Sequence, residues 1–292
     1  RFKPVPYHTI RAVIEHEKGG FAVAWKAKDE QPGLDSEGRL IDTAVANALV
    51  ESVRGKSGTI VEYKQEAKTQ SQPLAFALSD ITALASAKFG YSAEDVLNAC
   101  QSLYETHKLT SYPRTDCAYL PESQYADAPR VLEAIKQVNP ELAGLVDGSD
   151  LRIKSKTWND SKITAHHGII PTMQKGSKAA LNERERNIYD LIVRAYLAQF
   201  YPLHEYMQTN VGVEIAGEKF TATGRVVTRN GWRDIYTQSE EEKENDEDSD
   251  SSTQTLPSMS QGDAVVCTEA TRKDSKTKPP SRFTEGTLIR AM

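Results

Sequence analysis

Three reactive side chains stand at alternate positions near the middle of the chain: Tyr112, Arg114 and Asp116. A tyrosine oxygen can attack phosphorus, and a guanidinium can hold a phosphate through parallel hydrogen bonds. A carboxylate two positions further on can orient a neighbouring donor. Pro113 disfavours a helical conformation at the preceding residue, so a helix is expected to end ahead of Tyr112. This order of groups suits phosphoryl transfer involving the tyrosine.

The spacing of these residues also allows a purely structural interpretation. Tyr112 could be a buried residue at a helix end, beside a surface pair formed by Arg114 and Asp116. Tyrosines are common, and a protonated phenol is a weak nucleophile without local activation. The two interpretations stay open on spacing alone.

A second segment, Thr164–Thr172, carries the adjacent histidines His166 and His167. Adjacent side chains of an extended chain point to opposite faces, so the pair makes a poor joint metal site. Only one of the two can face the tyrosine. That histidine either packs structurally or hydrogen-bonds a phosphate, and the residues alone do not decide between these roles.

Length and cysteine usage limit the class of protein. A chain of 292 residues predicts two compact units, or one unit interrupted by another. Cys100, Cys117 and Cys267 show no CxxC spacing, which argues against a zinc site or a disulfide scaffold and favours a reducing cytoplasm. No apolar run approaches the length of a membrane span, and the N-terminal residues lack the apolar core of a secretion signal. We therefore expect a cytoplasmic protein with no membrane partner.

The net charge of −5 is dominated by one acidic run. Glu240–Asp250 holds eight acidic residues and one lysine, so the rest of the chain sums to about +2. The surrounding residues 239–253 show no periodicity and predict a mobile, solvated loop without a metal-binding role. A near-neutral remainder is compatible with nucleic-acid binding if its cations gather along one groove.

The opening section reads as strands with one inserted helix. Alternating apolar residues predict a hairpin over Tyr7–Lys28 that turns at Glu17–Gly20, and a further strand over Thr59–Glu66. Asp42 is placed to cap a helix that stops near Gly55.

Helix signals dominate from Ser71 to Phe200. Ser79 is placed to cap one helix, and Ser92 with Asp95 predicts a capping box on the next. Apolar residues at spacings of three and four over Leu181–Phe200 predict a longer amphipathic helix.

Strands return over Gln208–Ile215 and Glu218–Thr228. Neither group of strands can complete a sheet core alone, so we expect both groups in one unit. The predicted fold class is therefore α+β and multidomain. A strand-rich arch domain of residues 1–70 and 206–270 is interrupted by a mainly helical domain, residues 71–205, that carries Tyr112.

Two long motifs then carry a family resemblance. Thr110–Asp116, TSYPRTD, resembles the active-site motif of type IA DNA topoisomerases, and Ala165–Thr172, AHHGIIPT, resembles their second motif. Similarity extends through Leu103–Leu120, Thr157–Asp160 and Pro279–Thr284, and within the family it is strongest to the bacterial topoisomerase III branch.

The resemblance implies a transient covalent bond between Tyr112 and a 5′ phosphate of single-stranded DNA, followed by strand passage and religation. It implies that Arg114 steadies the scissile phosphate and that His166 bonds the same neighbourhood, with Asp116 as its orienting carboxylate. It also implies DNA contacts from three further residues: Thr115, Arg282 and Thr284.

The resemblance further implies a gate formed by the arch, and residues 277–292 as the start of another DNA-binding domain. In this family a lysine, a glutamate and an acidic Mg²⁺-binding cluster belong to a preceding Toprim domain, and the resemblance implies that these residues start after it. We therefore expect this fragment to bind no metal, to bind single-stranded DNA weakly and to cleave none alone. A nucleoid-associated location follows from the same resemblance.

The sequence is compatible with one other function and argues against a second. The same fold could hold single-stranded DNA without breaking it, and the sequence does not exclude such a binding module. A relaxase also forms a 5′ phosphotyrosine, but it uses a histidine-hydrophobe-histidine motif on one strand face. The adjacent His166 and His167 do not have that spacing.

Overall fold

The computed structural model describes residues 2–236, 254–284, 287, 288 and 291. The chain forms two compact units. The first comprises Arg1–Lys68, Glu205–Thr228 and Glu241–Ser281, and the second comprises Thr69–His204, Arg229–Glu240 and Arg282–Met292. The acidic loop predicted at residues 239–253 lies outside the described residues.

The first unit is built on a closed barrel of six strands. Their order around the barrel is β1-β2-β5-β4-β3-β6, so β6 closes the sheet between β1 and β3. The strands are Pro6–His16 (β1), Gly19–Lys26 (β2), Ser57–Gln70 (β3), His204–Ile215 (β4), Glu218–Arg229 (β5) and Ala264–Lys276 (β6).

Alternation along the strands fills the barrel interior. On β1, the alternate residues Ile10, Ala12 and Ile14 are buried, as period-two patterning requires. Helix α1, Thr43–Val53, adds Ala46 and other apolar side chains to the same core. Both groups of predicted strands thus lie in one barrel.

The strand Ala264–Lys276 was not predicted from the sequence. Only Val265, Cys267 and Ala270 of its thirteen residues lie in the barrel core, and the second half of the strand is polar and exposed. The strand forms through long-range pairing with β1, including a register shift at Val13/Ile14. Such pairing leaves little local hydrophobic signal.

The second unit is mainly helical and carries both motifs. Its helices are Leu78–Phe89 (α2), Ala93–Glu105 (α3), Ala128–Val138 (α4), Ala143–Asp147 (α5) and Glu183–Leu197 (α6), joined by short 3-10 turns. Its core holds a cluster of aromatic rings in which each ring centroid lies within 6.2 Å of at least two others: Tyr125, Trp158, Tyr196 and Phe200.

The helix caps test the local predictions. Asp42 accepts hydrogen bonds from the amides of Ala44 and Val45, and Ser92 with Asp95 forms the predicted capping box; both predictions are confirmed. The prediction for Ser79 was wrong, because α2 already begins at Leu78 after Ala77. Asp80 instead accepts the Ala77 amide there, at 3.3 Å.

A buried carboxylate joins α6 to the end of α3. Glu185 is 7% exposed and accepts hydrogen bonds from the Ser102 hydroxyl, at 2.7 Å, and from the Asn182 amide, at 2.9 Å. His107 Nε2 lies 3.3 Å from the same carboxylate. Burial acts to raise the pKa of Glu185, but these hydrogen bonds and the His107 charge outweigh it and hold the pKa below its usual value.

The α+β fold class is confirmed: a strand-rich domain is interrupted by a mainly helical one that carries Tyr112. The separate domain expected over residues 277–292 stays a prediction. Within that range, the Thr284 hydroxyl accepts a hydrogen bond from the Thr287 amide, at 3.2 Å. Arg282 is exposed.

We predict that Glu185→Gln lowers the free energy of unfolding at pH 7 by about 2 kcal/mol, as expected for lost hydrogen bonds to a charged group. Because the folded pKa of Glu185 is depressed, its contribution is complete above the unfolded value of about 4.3. This contribution is lost as the pH falls through the lower pKa of the folded state. The free energies of unfolding of the wild type and of Glu185→Gln should therefore converge at acidic pH.

Urea unfolding followed by helical circular dichroism, repeated between neutral and acidic pH, measures this difference. Glu183→Gln is the matched control, because Glu183 lies in the same first turn but is exposed. It should change stability by about 0.5 kcal/mol or less. A constant deficit for Glu185→Gln at every pH would contradict the assigned ionisation.

Candidate active site

Backbone hydrogen bonds tie the two motifs together although more than fifty positions separate them. The Ser111 amide donates to the Ile170 carbonyl at 2.9 Å, and the Thr172 amide donates to the Leu109 carbonyl at 3.0 Å. The Ile170 amide donates to the Ser111 hydroxyl at 3.0 Å. Thr110 and Pro171 form the bridge between these contacts. The segment before Tyr112 is therefore held in register with the histidine segment.

Two further loop segments hold the histidine segment in place through backbone hydrogen bonds. The amides of Gly168 and Ile169 donate to the carbonyls of Tyr119 and Phe76, each at 2.8 Å. A Cβ on Gly168 would lie 3.0 Å from the Ala75 Cβ and 3.3 Å from the Ala118 backbone. The close approach of three segments explains why glycine occupies this position.

The chain enters the first motif through a tight helix end. The amides of His107 and Leu109 donate hydrogen bonds to the carbonyls of Ser102 and Leu103, respectively. Lys108 between them takes a left-handed conformation with φ of 59°. This conformation carries a steric cost for a residue with a Cβ. The turn redirects the chain out of α3 and into the segment paired with Ile170.

Tyr112 lies between two other rings. Its centroid is 4.8 Å from that of His166 and 5.6 Å from that of Tyr104, the latter in an edge-to-face arrangement. Tyr112 is half-buried and His166 is exposed. The structure thus brings the tyrosine and the first histidine together at an accessible surface of the helical unit.

His167 has different surroundings. Its Nδ1 lies 2.8 Å from the Gly168 carbonyl, which can only accept, so Nδ1 carries the proton. Its Nε2 can then accept from the Gln124 amide at 3.2 Å. Both ring nitrogens are engaged within the fold, which gives His167 a structural role.

The acidic residue of the first motif does not contact His166 as expected. Asp116 is exposed, and its Oδ1 accepts from the Thr164 hydroxyl at 3.2 Å. The same hydroxyl lies 3.5 Å from the His166 carbonyl. Within the described structure, Asp116 thus orders the backbone that carries His166 rather than bonding the imidazole.

The other two predicted residues of the first motif, Arg114 and Thr115, differ in solvent exposure. Arg114 is exposed, two positions after Tyr112, and is available to an anionic ligand. Thr115 is 6% exposed, and its hydroxyl accepts the Cys117 amide at 3.0 Å while its carbonyl accepts the Leu78 amide. This burial argues against the predicted DNA contact, so Thr115 shapes the loop.

Sequence reasoning missed Tyr104 and Lys108. Tyr104 packs on Tyr112, and the Lys108 ammonium lies 5.9 Å from the Tyr104 ring centroid. Tyr104 belongs to the last turn of α3 and reaches Tyr112 only because the helix end folds back. Its spacing of eight residues from Tyr112 gives no local signal of this contact.

The residues of the described ranges do not fit a Mg²⁺ site. No group of three or more His, Cys, Asp or Glu side chains lies close enough to hold a metal ion in that part of the chain. A hard divalent cation needs several oxygen ligands held close together. In the same ranges, no helix has the length and apolar content of a membrane span.

A family model described as DNA topoisomerase matches residues 1–292, which is the whole chain. This chain belongs to the type IA DNA topoisomerases. DNA topoisomerase 3 of Vibrio cholerae is 38% identical over 100% of the chain and 45% of its own length. DNA topoisomerase 3 of Bacillus subtilis is 36% identical over 100% of the chain and 38% of its own length.

The fold has a counterpart among solved structures of the family. Full-length topoisomerase I from Thermotoga maritima superposes with a TM-score of 0.67 at 20% identity, over 100% of this chain and 44% of that one. That identity supports the shared fold alone. The chain thus spans less than half of the length of these topoisomerase relatives.

We predict that Gly168→Ala destabilises the helical unit by about 1–3 kcal/mol, the usual cost of overpacking. The new methyl group would press on Ala75 and on the Ala118 backbone, and backbone cannot rotate away. Gly144→Ala is the control, because a Cβ there meets nothing within 4 Å on helix α5. It should be neutral or stabilising. Urea denaturation distinguishes the two; equal stabilities would contradict the packing assigned to Gly168.

Proposed function

We propose that this chain supplies the tyrosine half of a topoisomerase active site that cleaves single-stranded DNA through a 5′ phosphotyrosine. The observation that carries the proposal is the contact between Tyr112 and His166 in a chain of the type IA family, with Arg114 exposed two positions after Tyr112. A phenol beside an imidazole, with a guanidinium close in sequence, suits attack on a phosphodiester.

The proposed step exchanges one phosphodiester for another. The Tyr112 oxygen forms a bond to phosphorus, the bond between phosphorus and the 3′ oxygen breaks, and the phenol proton leaves. The 3′ oxygen departs as a hydroxyl after receiving a proton. In the reverse step this hydroxyl attacks the phosphotyrosine and releases Tyr112. Because one ester replaces another, the cycle needs no ATP.

Arg114 and His166 have separate proposed tasks. Arg114 steadies the non-bridging oxygens of the scissile phosphate, where negative charge develops. His166 donates a hydrogen bond to the same phosphate and confines the Tyr112 ring at a centroid distance of 4.8 Å. Asp116 supports this arrangement through Thr164, so its removal should loosen His166 without removing a phosphate contact.

The proposed site is incomplete without further groups. Phosphoryl transfer needs several cations to meet the developing charge. We propose that the lysine and the Mg²⁺-binding carboxylates come from a Toprim domain, which would lie against the Tyr112 surface during cleavage. On this proposal the chain alone binds single-stranded DNA weakly and leaves it intact. Passage of a second strand and religation then follow in the complete, nucleoid-associated enzyme of a bacterial cytoplasm.

We expect the complete polypeptide to form a covalent adduct with 3′-labelled single-stranded DNA and Mg²⁺, detected as labelled protein after denaturation. Tyr112→Phe should abolish the adduct while leaving DNA binding measurable. The present chain alone should form none, because removal of one charge-stabilising donor already costs about a hundredfold to a thousandfold. An adduct that survives Tyr112→Phe would reject the proposed nucleophile. DNA binding by the complete protein without any adduct would favour the binding-module alternative.

We further expect Tyr104→Leu to slow cleavage by the complete protein about two- to tenfold, the equivalent of one edge-to-face ring contact. Tyr104→Phe keeps the ring and loses only the hydroxyl, so it should cleave at the wild-type rate. Single-turnover cleavage at saturating DNA isolates the chemical step from binding. Wild-type rates for Tyr104→Leu would show that its contact with Tyr112 does not position the nucleophile.

A further inference from the structure

The turn that follows α3 holds a lysine in an unfavourable backbone conformation. Lys108 has a φ of 59°, in the left-handed region, where a Cβ carries a steric cost and where glycine or asparagine usually follows a helix. Other residues held in that region concentrate at functional sites, because the surrounding fold must stabilise them there. A function of the Lys108 side chain would explain why lysine occupies this position.

Hydrogen bonds on both sides hold Lys108 in this conformation. Its carbonyl accepts the Thr172 hydroxyl at 2.6 Å, and the next amide, that of Leu109, donates to the Leu103 carbonyl at 2.9 Å. Leu109 is buried, whereas Lys108 is exposed. The turn therefore fixes the backbone and directs the lysine side chain to solvent.

The Lys108 ammonium lies near the ring of the proposed nucleophile. It is 5.9 Å from the centroid of the Tyr104 ring, and that ring meets the Tyr112 ring edge to face at a centroid distance of 5.6 Å. Both groups thus contact the same aromatic side chain. An anion that reaches Tyr112 passes close to this positive charge.

The carboxylates close to this turn have other partners. Glu105 accepts a hydrogen bond from the Gln101 amide, and the buried Glu185 accepts one from the Ser102 hydroxyl. Within the ranges that the structure describes, Lys108 forms no ion pair. Its charge is therefore uncompensated at an exposed position.

A second lysine lies on the segment that packs against this turn. The Thr172 hydroxyl donates to the Lys108 carbonyl, and a Cβ on Gly176 would lie 3.1 Å from the Leu109 side chain. Lys175 stands between these two points of contact and is exposed. In the described part of the chain it too lacks an ion pair. Two uncompensated cations thus come from adjoining segments.

We propose that Lys108 and Lys175 form a subsite for the backbone of single-stranded DNA beside Tyr112, in which each ammonium binds a phosphate that flanks the scissile one. Like charges gathered on one surface attract an anion. An ammonium binds phosphate as a point charge and reads no base, so the subsite adds affinity and fixes the position of the strand rather than selecting a sequence. The choice of a DNA strand as the ligand rests on the proposed function.

Fluorescence anisotropy with a labelled single-stranded oligonucleotide, over a range of salt concentrations, tests the subsite. The complete polypeptide is used with Tyr112→Phe, so that binding is measured without cleavage. The test variants are Lys108→Asn, which tolerates the left-handed conformation, and Lys175→Gln. Lys108→Arg keeps the charge. Lys136→Gln is the control, because Lys136 belongs to the same unit but is paired with Asp147 at 2.8 Å.

We expect each test variant to bind about fivefold more weakly at about 0.1 M salt and to reduce the salt slope by about 0.7, the loss of one phosphate contact on a single strand. The double variant should reduce the slope by about 1.4. Lys108→Arg and Lys136→Gln should bind like the parent protein. The melting temperature of Lys108→Asn should not fall, because asparagine is favoured over lysine in this backbone conformation.

A double variant with unchanged affinity and salt slope would overturn the proposal. Weaker binding by Lys108→Asn together with a lower melting temperature would also count against it, since the turn rather than the ammonium would then be responsible. None of these measurements requires cleavage. A double variant that binds like its parent, alongside an adduct that depends on Tyr112, rejects the subsite alone, whereas weaker binding without any adduct supports the subsite and rejects the nucleophile.

Discussion

The site depends on the backbone pairing of Leu109–Ser111 with Ile170–Thr172. Irregular segments carry amides and carbonyls that need partners when they are buried, and here two such segments satisfy each other. Tyr112 follows directly after this pairing, and His166 precedes it by four positions. A small ladder of this kind holds the residue that follows it, Tyr112, more firmly than a free loop would.

The helices around the ladder fix its ends. The Lys108 turn closes α3 and directs the chain toward Ile170, while Glu185 of α6 binds the Ser102 hydroxyl in the last turns of α3. Because this carboxylate is buried and ionised, its hydrogen bonds are strong, and their loss would leave an uncompensated charge. The surface groups Arg114 and Asp116 are, by contrast, exposed. The helix contacts are thus buried and fixed, whereas the polar side chains of the first motif are accessible to an anion from solvent.

The barrel of the first unit depends on pairing between strands that are far apart in sequence. Its strands come from both sides of the helical unit in sequence, and β6 pairs with both β1 and β3. Closure satisfies the backbone groups that an open sheet would expose at its edges. The continuous core that runs from Ile14 to Val213 and Cys267 then depends on long-range pairing rather than on any one hairpin.

Local sequence determined the features that depend on neighbouring residues: the β1–β2 hairpin, the Asp42 cap, the Ser92–Asp95 capping box and the end of α3 before Pro113. The two motifs also identified the family, because long ordered matches carry more information than spacing. Tertiary structure alone decided that Asp116 bonds Thr164, that Thr115 is buried and that Tyr104 packs on Tyr112. It also decided that Ala264–Lys276 closes the barrel. These contacts join residues whose side-chain directions depend on how distant segments pair, and no local propensity or periodicity encodes that pairing.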